Sequence, residues 1–171
     1  MRSPRVDVAT VEPVGMRLRA VIGQADGLDP VAQRCGVPPV ELDGRWSLIP
    51  WTDDAFDALD PSDPDLEPAG LRYCHSALTG AMTEASFRAP LAYIEADSFG
   101  GQIEQGAVVF VAGEVVWSSH AGPILPPSRV RSPASEALSR IGVQRRGDLD
   151  EFDTIGLGRY RETKDWVRHT D

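Results

Sequence analysis

The chain has 171 residues and a formal net charge of -9, from 26 acids against 17 bases. That length suits one domain with a real core, and a hydrophobic content of 42% is ordinary for a globular protein. The charge repels nucleic acid and anionic membranes, and no apolar run reaches the roughly 18 residues of a membrane helix, so neither is expected as a partner.

Residues 1–14 carry basic side chains but no apolar signal-peptide segment, and read as a partly ordered arm ahead of a single domain over 15–171. Met16, Leu18, Ala20 and Ile22 then alternate with Arg17, Arg19 and Val21, which predicts a half-buried strand. Asp29 as cap, Pro30 at the first position and Gly36 as stop predict one short helix. An Asp43-Gly44 turn between two strand-like pieces predicts a hairpin. Thr52 can cap a helix whose first turn holds Asp53 and Asp54, as the helix dipole prefers. Seven acids and no base lie between residues 53 and 67, where prolines break regular structure into an exposed loop. This is the most negative surface expected on the molecule, and Asp53, Asp54, Asp57 and Asp60 are its candidate partner-binding residues.

Residues 71–80 fit two periods. Leu71, Cys74, His75 and Leu78 suit a helix, whereas Tyr73, His75 and Ala77 suit a strand. Residues 81–88 read as extended. A three-stranded antiparallel meander follows over about 91–119, with Gly100-Gly101 as its first connection and a tight Ala112-Gly113 turn as its second. Ser132, Pro133 and Gly142 bound a helix whose apolar stripe is Ala134, Ala137, Leu138 and Ile141. The tail holds a loop and a short helix from Thr163, anchored by Trp166. The sum is an α+β fold, a single-layer, mostly antiparallel sheet of roughly five to seven strands packed by roughly two to four helices.

Glu95 and Asp97 are two residues apart, so they share a strand face, and Glu104 lies across the Gly-Gly connection. Close carboxylates can split their pKa values as acid and base, or hold a divalent cation. These three are the candidate catalytic residues of an alternative reading as a small carboxylate-dependent hydrolase. Otherwise they are the acids of a solvated sheet face. No cofactor is expected. Gly100-Gly101 lacks the Lys-Ser/Thr pair and helix of a phosphate loop, and "GLGRYR" from Gly156 is half a dinucleotide fingerprint. Cys74 and His75 are neighbours and point apart on either a helix or a strand. Ser118, Ser119 and His120 have no identifiable carboxylate orienter. Zinc would need Cys35, Cys74, His75, His120 and His169 to converge from scattered positions. Two cysteines make no disulfide scaffold and suit buried thiols in a reducing cytoplasm. A single lysine, Lys164, and no asparagine among 171 residues point to a GC-rich bacterial genome.

The stretches "YIEADSFGGQIEQGAVVF", "EALSRIGV" and "DEFDTIGLGRYRETKDW" together resemble uncharacterised small cytoplasmic proteins of actinobacteria. By size and charge, though by no motif, the chain is also similar to immunity proteins, which plug a toxin's active site. The resemblance implies no particular site residue. The leading expectation is therefore a cytoplasmic, non-catalytic acidic module that binds a protein partner with a basic surface, as an immunity-type inhibitor or accessory protein would. A homodimer built on the meander edge at Val115 and Trp117 is a further alternative.

Overall fold

A computed structural model describes residues 15–60, 65, 67–68, 70–124 and 131–168, with backbone alone at 123 and 124. The expected arm over 1–14 lies outside the described residues. So do His169, the Pro-rich stretch at 125–130 and parts of the acidic loop.

The first strand, β1 (Met16–Gln24), is central. Among the described residues, five more complete one sheet: β2 (Val40–Glu41), β3 (Trp46–Pro50), β4 (Leu91–Phe99), β5 (Gln102–Val111) and β6 (Glu114–Ile124). Their order is β2-β3-β1-β4-β5-β6, and every neighbouring pair is antiparallel. The expected meander is present and runs on to residue 124, past the expected end at 119. The six α-helices among the described residues exceed the expected number. They are α1 (Ala25–Cys35), α2 (Asp53–Ala58), α3 (Ser76–Ala85), α4 (Pro133–Ile141), α5 (Glu151–Thr154) and α6 (Thr163–Val167).

Helices cover both faces of the sheet. On one face Leu18, Ala20, Ile22, Ile94 and Val109 pack against Ala134, Ala137, Leu138 and Ile141 of α4 and against Trp166 of α6. On the other, Val21, Tyr93, Val108 and Phe110 pack against Leu28 and Val31 of α1 and Leu78, Ala81, Met82 and Ala85 of α3. Strand β1 is therefore buried on both sides from Leu18 to Ile22, not half-buried as its alternation suggests. A covered sheet needs no polar face, so alternation loses its meaning there.

Two helices differ from expectation. Helix α1 starts at Ala25, directly after β1, and contains Pro30 within it instead of at its first position. Residues 76–85 are helical where extended structure is expected over 81–88. His75 caps α3, its Nδ1 accepting the Leu78 N–H at 3.2 Å. Leu78, Ala81, Met82 and Ala85 then bury one stripe. By contrast, the Thr52 cap of α2 and the Ser132 cap of α4 form as expected, each accepting the N–H three residues on.

The C-terminal segment completes β1 where β3 stops. The Arg17 N–H donates to the Arg161 carbonyl at 2.7 Å. The Thr163 hydroxyl accepts the Arg19 N–H at 3.0 Å and donates to the Arg17 carbonyl at 3.1 Å. This segment acts as a strap across the start of the central strand.

The β5–β6 turn is of the mirror-image type that hairpins favour, with φ of 51° at Ala112 and 85° at Gly113. Alanine is strained in that left-handed region, whereas asparagine tolerates it. Ala112 is exposed. Ala112→Asn is expected to stabilise the protein by about 0.5 kcal/mol, read as a higher urea midpoint at unchanged slope.

Candidate functional site

The alternation that buries Val21, Tyr93 and Val108 carries charged residues to one end of the same sheet face. In register, Arg17 lies opposite Asp97 and Arg19 opposite Glu95. Asp97 lies opposite Glu104, while Gly106 lies opposite both Glu95 and His120. The segment 70–75, which leads into α3, crosses this end. A cleft of about 60 Å³ remains between them, lined by these charged side chains with Arg72 and Tyr73. Gly106 makes room for the crossing, since a β-carbon there would lie 2.5 Å from the Leu71 side chain.

All three predicted carboxylates, Glu95, Asp97 and Glu104, therefore meet at one cleft, and each is engaged differently. Glu95 is a latch. Its Oε1 accepts the Tyr73 N–H at 2.6 Å and the Tyr93 hydroxyl at 3.0 Å, and its Oε2 accepts the Arg72 N–H at 3.0 Å. Burial, reinforced by the Glu95 charge, pushes the Tyr93 phenol well above its ordinary pKa and keeps it a neutral donor. Glu104 Oε1 meets Arg72 Nη2 and His120 Nε2, both at 3.1 Å. Asp97 pairs with Arg17 Nε at 3.4 Å, with both side chains more than half exposed. Among the described residues, no group of three or more His, Cys, Asp and Glu is arranged to hold a metal ion.

Beside them, Arg19 is buried in a way the sequence pattern conceals. Its guanidinium lies over the Tyr73 ring, Cζ being 4.1 Å from the centroid. Its Nη2 donates to Asp53 Oδ1 at 2.8 Å. This hydrogen bond, with the Arg19 charge behind it, lowers the Asp53 carboxyl below its usual range. The four predicted docking acids are all exposed, but they are not equivalent. Asp53 is held by Arg19, whereas Asp54, Asp57 and Asp60 make no ion pair among the described residues. Helix α2 also walls a shallow groove of about 530 Å³ that includes Lys164 and Arg168, so two bases interrupt the acidic face.

The remaining candidates have structural roles. His75 spends both ring nitrogens, Nδ1 on its cap and Nε2 as donor to the Phe56 carbonyl at 3.1 Å. Burial pushes the Cys74 thiol up to about 12, which leaves it a thiol at neutral pH. Cys35 and Cys74 are both free and buried. Gly156, with φ of 80°, turns the chain into a short 3₁₀ segment over Leu157–Arg159, and Arg159 pairs with Asp43 at 3.2 Å. Arg17, Arg19, Arg72 and Tyr73 are the site residues that sequence reasoning overlooks. One signal was available: an arginine inside an otherwise apolar run needs a partner or a ligand.

No protein family, curated protein or solved structure matches the chain. No described helix is long and apolar enough to cross a membrane.

Proposed function

We propose that this is a non-catalytic binding protein that presents the acidic face of α2 to a protein partner with a basic surface, as an immunity-type inhibitor or accessory subunit would. One observation carries the reading. Asp54, Asp57 and Asp60 stand exposed and without ion pairs among the described residues, on and just beyond a helix fixed by the Thr52 cap and buried Ala55. Unneutralised like charges held on a rigid element steer a basic partner during encounter. The cleft carboxylates support the same reading, because backbone amides hold both oxygens of Glu95, and arginines hold one oxygen each of Glu104 and Asp97.

The triple change Asp54→Asn, Asp57→Asn and Asp60→Asn tests it. A partner captured by the native protein is expected to associate about tenfold more slowly with the variant at low salt, with a flatter salt dependence. Equal association rates would remove this surface as the docking site.

Two other readings rest on particular observations. The meeting of Glu95, Asp97 and Glu104 with His120 at one cleft favours a carboxylate-dependent hydrolase. Ester or phosphoester turnover lost on Glu104→Gln would transfer the reading to that cleft. The edge position of β6, with Val115 49% and Val116 52% exposed, favours a homodimer through edge pairing. A register shift between Val109 and Phe110 bulges that edge and opposes pairing. Sedimentation at micromolar concentration decides between monomer and dimer.

A further inference from the structure

Arg19 has more donors than the fold provides acceptors. Its side chain is only 10% exposed, yet Nε and Nη1 find no hydrogen-bond partner among the described residues. A buried guanidinium N–H without an acceptor is costly, and stacking on Tyr73 offsets only part of that cost. Each acid lining the cleft already holds another partner, Asp97 pairing with Arg17. Glu95 holds the 70–75 segment and Glu104 holds Arg72 and His120.

We propose that the cleft beside Arg19 binds a carboxylate group, whose oxygens accept from the unspent Arg19 N–H groups. Three features set the ligand class. The space, about 60 Å³, takes a head group the size of acetate. Arg17 and Arg72 stand at the rim, 59% and 70% exposed, and add positive charge without closing the entrance. Glu95, Asp97 and Glu104 share the cleft and repel a dianion such as phosphate more than a monoanion. Tyr73 is the cover. Its N–H is held by Glu95 and its carbonyl by Trp51 Nε1 at 2.8 Å, so the backbone stays fixed while the 40% exposed ring rotates aside. Asp53 is the internal competitor for the same guanidinium.

The test follows the arginine Nε–H resonances of the full chain by NMR, titrating sodium acetate against sodium chloride at matched ionic strength. The Arg19 signal is expected to shift and saturate with a dissociation constant of about 1 mM in acetate alone. Asp53→Asn, which keeps a side-chain oxygen for Arg19 Nη2 but removes the competing charge, is expected to tighten acetate binding about fivefold. A short peptide and its C-terminal amide separate two sources of the group. An acid binding tighter than acetate assigns the cleft to chain ends, and a weaker one assigns it to free monocarboxylates. A drift shared by both salts, an unchanged affinity in Asp53→Asn, or an amide that binds as well as the acid would each overturn the proposal.

Discussion

Trp166→Ala is expected to cost about 4 kcal/mol and to lower the melting temperature by roughly 8–16 °C. The residue is fully buried and meets Tyr160 edge to face, with ring centroids 4.8 Å apart. It also anchors a helix that cannot stand alone, since α6 has five residues and isolated helices that short do not persist in water. Packing holds α6, α6 holds Thr163, and Thr163 holds the start of β1 through two hydrogen bonds. The loss should therefore appear away from the cavity, as faster hydrogen exchange at the amides of Arg17 and Arg19. Trp166→Phe separates packing from polarity. It keeps most of the volume and removes an indole N–H that is buried without a hydrogen-bond partner among the described residues, so its expected cost is about 1 kcal/mol. A loss below about 1 kcal/mol in the alanine variant would mean that α6 does not support β1.

The second large effect separates a latch from a catalyst. Glu95→Ala is expected to cost about 3 kcal/mol, because it leaves the buried Tyr93 hydroxyl and two backbone N–H groups without their acceptor. Glu95→Gln keeps one oxygen and is expected to cost about 1 kcal/mol. Asp97→Asn and Glu104→Gln act at partly exposed ion pairs and should stay within about 0.5 kcal/mol. Denaturant unfolding measures all four, and amide exchange at Arg72 and Tyr73 reports directly on the 70–75 segment. Equal, small losses across the three positions would remove the latch and restore Glu95 as an ordinary surface acid.

Local signals were legible wherever one residue type answers one backbone demand. Thr52 and Ser132 cap helices because a hydroxyl can accept an orphan N–H, and Gly113 turns a hairpin because it tolerates a positive φ. Period-two spacing and a turn were enough to bring Glu95, Asp97 and Glu104 together. Their partners were not legible. Arg17 reaches Asp97 across 80 positions of chain, and that pairing depends on β1 being central in the sheet. Arg19 looked like the polar side of a half-buried strand because sequence periodicity does not show that helices cover both faces. Helix α3 was hidden by its own composition. Thr79, Gly80 and Thr83 weaken helix propensity, and the stripe of Leu78, Ala81, Met82 and Ala85 prevails only because a sheet is there to bury it.

The Thr163 strap also sets a timetable for synthesis. The strand it completes emerges from the ribosome long before the hydroxyl that closes it, which follows 144 positions after Arg19. Until then the middle of the sheet carries an open backbone edge, and contacts of such long range form slowly. The nascent chain must wait for α6 before β1 is safe from pairing with a neighbour.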